Sequence, residues 1–159
     1  MDENMADEDN NAPEDPQRFF TLSEAELTRK ELEPVLVEAM DCRKKLVGLE
    51  EDLSAVGTRI MMMGGVLVPY QRLTDLRVEQ RQLAEVLKTA LERIGSAGCL
   101  VKDLEAGLLD FPAILRNEEV YLCWKFGEDR IRFYHRRDEG FSGRKPLDPR
   151  DLGPGDALQ

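Results

Sequence analysis

The chain has 159 residues, 42% hydrophobic and 34% charged, which is enough for one domain with a core of its own. The formal net charge is −10. Residues 1–17 hold seven acidic and no basic side chains, so the rest of the chain is nearly neutral and this segment is predicted to be a disordered acidic tail. The acidic start and the lack of a long apolar run argue against a targeting signal or membrane partner. The acidic tail and the absence of an RNA-binding aromatic signature argue against nucleic acid.

The three cysteines, Cys42, Cys99 and Cys123, are odd in number and widely spaced. This pattern is typical of reduced thiols and argues against a disulfide framework or a zinc ribbon. We therefore expect a cytoplasmic protein.

A long helix is predicted after residue 20. Thr21 and Glu24 fit a capping box, and from Leu32 an apolar heptad pattern typical of a coiled coil continues to the Gly64-Gly65 pair, which ends it. Pro34 near the start predicts that residues 20–33 form a separate short helix. The two seams are Leu32, Ala39, Leu46, Leu53 and Ile60, and Val35, Cys42, Leu49, Val56 and Met63.

A second helix follows, and a short loop makes the pair an antiparallel hairpin. Its stripe is interrupted only by Gln80 and ends at Gly95 and Gly98; it comprises Leu73, Leu76, Leu83, Leu87, Ala90, Ile94 and Ala97. Two helices that bury one narrow stripe each need further cover. We expect self-association through the helices, as a homodimer that forms a four-helix bundle; a monomeric three-helix bundle is the alternative.

The period changes to two after Gly98, which predicts a small antiparallel meander of three or four strands. A turn at Glu128-Asp129 would place Trp124 opposite Phe133 and Leu122 opposite His135, all on the face toward the helices. Upstream, Cys99 to Phe111 is predicted as a hairpin that turns at residues 105–107, with Lys102 opposite Asp110 and a strand end at residues 110–112. The predicted fold is thus α+β: a short N-terminal helix, a long coiled-coil-like hairpin and a β-meander in one domain over residues 18–147, followed by a flexible tail over 148–159.

The motifs VKDLEAGLLDFPA, YLCWKFGE, FYH and DEGFSGRKPL, with an FTL helix start and a Gly-Gly hairpin turn, resemble the domain-of-unknown-function family 2203. That family consists of small bacterial proteins without an established activity, and the resemblance covers roughly residues 19–147. It supports the architecture and implies no catalytic residue. The matching positions are Lys102-Asp103, Gly107, Asp110-Phe111-Pro112, Cys123-Trp124, Gly127-Glu128, His135, Gly140-Phe141 and Gly143-Arg144.

One hypothesis for chemistry is a divalent-metal site. His135, the single histidine, would bind Zn, Fe or Mn together with Asp103 or Asp110, or with Asp138 or Glu139, because imidazole and carboxylate suit these ions. No HxH spacing supports it. The alternatives are a histidine at the core edge, an Asp110–Lys102 ion pair, and an Asp103 that hydrogen-bonds the turn it precedes.

A second hypothesis is an anion site, in which Arg136 and Arg144 lie near a loop that contains Gly140 and Gly143. Thiol chemistry at Cys123 is disfavoured, because alternation puts this thiol on the face opposite to His135. The sequence favours a binding or assembly module built on a dimeric hairpin. The alternative is a metal-binding protein or metal-dependent hydrolase around His135, and the pattern does not decide whether the protein is an enzyme.

Overall fold

Two long helices followed by a five-stranded antiparallel sheet make up the fold in the computed structural model, which describes residues 18–64 and 70–151. Helix α1 spans Leu22–Met63 and α2 spans Tyr70–Ser96. The strands are β1 Leu100–Asp103, β2 Leu108–Leu115, β3 Glu118–Lys125, β4 Phe133–Arg136 and β5 Lys145–Pro146, with 3₁₀ turns at Phe141–Gly143 and Pro149–Asp151. The predicted α+β class is confirmed. The acidic tail over 1–17 and residues 152–159 of the predicted C-terminal tail lie outside the described residues.

Helix α1 is continuous, so the prediction of a separate short helix before Pro34 is wrong, and with it the third helix of a three-helix bundle is missing from the described residues. The capping box at Thr21 and Glu24 is confirmed, and Gly64 ends the helix with a φ of 65°. Pro34 lies inside the helix on its exposed side. Leu32 and Leu36 on either side of it are buried, and their packing holds the helix together across the missing hydrogen bond.

The two helices run antiparallel. Residues early in α1, such as Leu36 and Ala39, share a core with Ala90 and Ile94 near the end of α2. A second, smaller cluster joins the late part of α1 to the early part of α2, and its buried members are Leu49, Val56 and Leu76. No helix in the described ranges is long and apolar enough to cross a bilayer. The coiled-coil geometry and the dimer stay predictions.

The sheet is an antiparallel meander in the order β1-β2-β3-β4-β5. It has five strands, whereas three or four were predicted. Its longest pair, β2 and β3, is closed by Arg116 and Asn117, whose φ angles of 50° and 61° are those of a two-residue type I′ hairpin. One face packs on the helices and supplies Leu109, Phe111, Ala113, Val120, Leu122 and Trp124 to the main core.

The register between β3 and β4 differs from the prediction by one residue. His135 lies opposite Tyr121, and Phe133 lies opposite Cys123. The predicted Glu128-Asp129 hairpin turn does not form, because β3 and β4 are joined by seven residues, 126–132. In this loop Ile131 leaves the sheet to join the main core. A shift of one residue turns every side chain of a strand to the other face, so His135 and Phe133 do not share the helix-facing side with Trp124.

The hairpin of β1 and β2 is also offset. Leu100, and not Lys102, lies opposite Asp110, because the turn includes Leu104 and the register is irregular between Val101 and Asp103. Strand β2 does not end at Pro112 but continues to Leu115. Strand β1 does not extend far enough to lie opposite Pro112, so the missing N–H of Pro112 costs no hydrogen bond to β1. The Pro112 carbonyl accepts a hydrogen bond from the backbone N–H of Phe20 at 2.7 Å.

Candidate metal centre

Three strands bring three potential metal ligands to the sheet face that is turned away from the helices. Asp110 in β2 lies directly opposite Cys123 in β3. His135 in β4 lies opposite Tyr121, two residues from Cys123 and therefore on the same face. Because each position is fixed by backbone pairing, the sheet itself holds these side chains together.

The cluster is compact and buried. One ligand atom from each of Asp110, Cys123 and His135 lies within 4.8 Å of the other two, and the residues are 1%, 1% and 3% exposed. Asp110 Oδ2 is 2.9 Å from His135 Nε2. His135 Nδ1 is 2.8 Å from the backbone carbonyl oxygen of Arg136.

The first of these contacts shows which ring nitrogen carries the proton of the neutral ring. A carbonyl can only accept, so Nδ1–H donates to the Arg136 oxygen and carries the proton of the neutral ring. Nε2 then presents its lone pair to Asp110, and the 2.9 Å contact needs one shared proton, held either by the ring or by the carboxyl. The lone pair and the carboxylate oxygen thus converge on one point, where a proton or a cation would satisfy both.

Burial dominates the electrostatics of the cluster. It raises the pKa of Asp110, and His135, the largest opposing influence, lowers it again. Burial also raises the pKa of the Cys123 thiol to about 12, with Asp110 adding to the effect and Arg144 opposing it. The thiol is therefore protonated at neutral pH unless a cation displaces its proton.

Arg144 reaches the cluster from the segment before β5. Its guanidinium carbon lies 4.1 Å from the ring centre of Phe133 and 4.2 Å from that of Phe141. Nη2 donates to Glu128 Oε1 at 2.6 Å. Arg144 Nη1 and Asp110 Oδ1 are both buried without a nitrogen or oxygen partner, and the side chain near both of them is the Cys123 thiol, whose pKa each of the two residues affects.

Of the predicted metal ligands, the structure brings His135 and Asp110 together and leaves Asp103 apart. Asp103 Oδ1 accepts a hydrogen bond from the Ala106 backbone N–H at 3.0 Å, which is the turn role that the sequence offered as its alternative. Glu139 contacts Lys145 instead.

The two predicted anion-site arginines occupy separate positions with separate carboxylate partners. Arg136 pairs with Glu118 at 3.3 Å, where both side chains are more than half exposed. Arg144 pairs with Glu128 under the aromatic rings. The alternation of β4 also puts them on different sides, since Arg136 shares a face with Tyr134.

Cys123 is the cluster member that the sequence analysis missed, and the separation of Cys123 from His135 by alternation was wrong. The error follows from the one-residue register shift. A signal was available in the sequence, since Asp110, Cys123 and His135 all fall in the motifs shared with the family, but nothing in their spacing shows that they meet.

The arrangement suits metal coordination better than thiol catalysis. Both ring nitrogens of His135 are engaged, by Asp110 and by the Arg136 carbonyl, so the ring is not placed to deprotonate Cys123 as a Cys–His pair would. One thiolate, one imidazole and one carboxylate are, in contrast, the ligand types that zinc takes.

Comparison with known families identifies the chain. The model of the family described as "Uncharacterized conserved protein (DUF2203)" matches residues 18–147, which include the helices, the sheet and the whole cluster. The chain belongs to this family. Comparison with curated proteins and with solved structures finds no significant match.

Proposed function

We propose that this DUF2203 protein binds a divalent transition-metal ion, Zn²⁺ above others, through Asp110, Cys123 and His135. The observation that carries the proposal is the convergence of their three ligand atoms within 4.8 Å at a buried point of the sheet. In a tetrahedral zinc site, bond lengths of about 2.0–2.3 Å put the ligand atoms roughly 3.3–3.7 Å apart. Small side-chain movements are enough to reach that geometry.

Charge and hydrogen bonding support the same ion. A carboxylate, a thiolate and a neutral imidazole together balance the two positive charges of Zn²⁺, so the buried site becomes neutral when the ion replaces the thiol proton and the shared Asp–His proton. Metal-binding histidines usually donate their other ring N–H to a carbonyl or carboxylate. His135 does this through Nδ1 and the Arg136 carbonyl.

Three protein ligands leave one position of the tetrahedron for water or another ligand, which is the composition of catalytic zinc centres. The metal-dependent hydrolase that the sequence offered as an alternative would need this open position for its water, and it stays a prediction. Metal binding is the earlier and separately testable step.

The test is metal analysis of the full chain purified without a histidine tag, then stripped with a chelator and reconstituted with Zn²⁺. We expect about one ion per chain, and a higher midpoint of thermal unfolding after reconstitution because the ion binds the folded state. Cys123→Ser and His135→Ala should lower Zn²⁺ affinity at least about tenfold, since even the loss of a residue that only orients a ligand costs about 10–100-fold. Cys99→Ser is the matched control, because Cys99 is an equally buried thiol outside the cluster.

Co²⁺ substitution gives a second readout. Thiolate-to-cobalt absorption should appear in the wild-type protein and in Cys99→Ser, and vanish in Cys123→Ser. The proposal would be overturned if the metal content is substoichiometric and changes neither on addition of Zn²⁺, Mn²⁺ or Fe²⁺ nor in the two cluster variants. Asp110 and His135 would then form a pair with a structural role.

A second candidate, assembly through the hairpin with a second copy of the chain, is favoured by its apolar surface. Val47 and Val78 are each 46% exposed, and Met61 and Met62 at the end of α1 are 86% and 82% exposed. Among the described residues, the part of the hairpin beyond the sheet buries three in its own cluster. Pairing two hairpins into a four-helix bundle would cover these side chains.

Light scattering coupled to size exclusion tests this candidate. A dimer at micromolar concentration that Val47→Glu and Val78→Glu convert to monomer, with the helical content unchanged, is the expected result. A wild-type monomer throughout that range would remove the assembly candidate and would leave the metal proposal unaffected.

A further inference from the structure

Among the residues that the structure describes, three buried side-chain polar atoms have no hydrogen-bond partner: Asp110 Oδ1, Arg144 Nη1 and Arg130 Nε. The first two border Cys123 and belong to the candidate metal centre. The third is at a different place, in the loop between β3 and β4. Arg130 as a whole is partly exposed, so the guanidinium N–H groups that a ligand could reach are those other than this buried atom.

Arg130 lines a cavity of about 310 Å³ between the start of α1, this loop and the segment after β5. The walls are mainly apolar and include Leu22, Ile131, Phe133, Pro146 and Leu147. The volume is at the lower end of the range of about 300–1,000 Å³ that is usual for small-molecule sites. A mainly apolar cavity of this size with arginine in its wall suits a small ligand.

The charge of Arg130 is not taken up by an ion pair within the described residues. Arg132, the second arginine of the lining, is bound by both carboxylate oxygens of Asp129 at 3.1 and 2.8 Å. Arg130 forms no ion pair with a carboxylate of residues 18–64 or 70–151. Asp129, its neighbour in sequence, interacts with Arg130 electrostatically but makes its ion pair with Arg132. The available charge in the cavity is therefore that of Arg130.

We propose that this cavity binds a small apolar carboxylate. The carboxylate group would accept from the Arg130 guanidinium, and the hydrocarbon part would pack against Leu22, Ile131 and Phe133. Charge-assisted hydrogen bonds to arginine are among the strongest that proteins form, and the ligand would supply the acceptor that the chain does not. The site shares no ligand atom with the metal cluster and does not depend on metal binding.

The experiment is a titration of the full-length, ¹⁵N-labelled protein with 4-methylpentanoate and with phenylacetate, followed by amide chemical shifts. Saturable shifts should appear at Ile131 and Leu147. The alcohol 4-methylpentan-1-ol, which lacks the charge, should bind at least about tenfold more weakly, since a hydrogen bond to a charged group is worth about 1.5–3 kcal/mol.

Arg130→Gln should weaken carboxylate binding at least about tenfold, whereas Arg132→Gln, which removes the arginine already paired with Asp129, should change it less than about threefold. Circular dichroism confirms that both variants fold. Three results would overturn the proposal: no saturable shift with either acid up to about 10 mM, equal binding of acid and alcohol, or equal loss in the two arginine variants.

Discussion

Arg29 is a charged side chain that α1 buries in the main core, with 4% of its surface exposed. It donates to Glu26 at 3.0 and 3.1 Å, to Glu33 at 3.0 Å and to the Asp129 carbonyl at 3.2 Å. The other carboxylate oxygen of Glu26 accepts from the backbone N–H of Ile131. These bonds attach the β3–β4 loop, and with it the apolar cavity, to the helix.

Replacing Arg29 with methionine should lower the free energy of unfolding by about 2–3 kcal/mol, because two carboxylates lose the partner that compensates their partial burial. Urea denaturation measures this. Lys45→Met is the control: the Lys45–Asp41 pair has similar spacing on the helix but is more than half exposed, so no measurable change is expected there. Similar losses in both variants would show that the Arg29 contacts do not stabilise the fold.

Cys99 makes stability sensitive to alkali. Burial raises the pKa of its thiol from 9.0 to about 12. The unfolded chain therefore releases this proton at a lower pH than the folded chain does. The contribution of the protonated thiol to the free energy of unfolding is complete below pH 9 and is lost between pH 9 and about 12.

In metal-free protein, we expect the free energy of unfolding to fall above pH 9, and Cys99→Ser to remove up to about 1.4 kcal/mol per pH unit from that slope. Denaturant titrations at a series of alkaline pH values provide the measurement. Identical slopes in the variant and the wild type would refute the assignment to Cys99.

Among the elements, α1 carries the largest local conflict between sequence and structure. Pro34 interrupts the backbone hydrogen bonding of a 42-residue helix, which normally costs about 3 kcal/mol. The helix continues because Leu32 and Leu36 are buried against the rest of the core, and the exposed position of Pro34 lets water reach the freed carbonyl.

Pro34→Ala should therefore stabilise the protein by about 1–2 kcal/mol, the restored helix bonding being partly offset by the greater freedom of the unfolded chain. Thermal and chemical denaturation should agree on the sign. Glu38→Ala, at an exposed position one turn later, controls for the gain in helix propensity. A destabilised Pro34→Ala variant would mean that the proline has a packing role.

At the scale of the whole molecule, α1 joins two parts that differ in how many apolar side chains they bury. Its first half packs on the sheet and on the end of α2 in the main core. Its second half, about 30 Å long, packs in the described ranges on the early part of α2, where three residues are buried. The candidate metal centre and the apolar cavity both belong to the sheet end.

Amide hydrogen exchange should show this difference directly. We expect residues 49–60 to exchange at least about tenfold faster than residues 32–39, because few apolar contacts protect the second half of the helix. Protection of the distal part that rises with protein concentration would instead support the hairpin dimer. Equal protection independent of concentration would show that α1 opens as a single unit.

The parts of the fold that were predicted correctly rest on local rules. The capping box at Thr21, the helix end at Gly64 and the change of period after Gly98 each depend on neighbours in sequence. The two-residue turn between β2 and β3 was not predicted, because Arg116-Asn117 lacks the Asn-Gly or Asp-Gly signal of a type I′ turn. For the candidate site, the sequence placed Asp110 and His135 in one block and Cys123 correctly on the outer face, but it put His135 on the helix-facing side of the sheet.

The sequence by itself determined the class of fold, the order of helices and strands and the family, because periodicity, caps and shared motifs are written along the chain. The tertiary structure alone decided which side chains meet. The seven-residue loop after β3, attached to α1 by Glu26, sets the register of β4. Since one residue of register exchanges the faces of a strand, this contact between distant residues puts His135 beside Cys123 and Asp110.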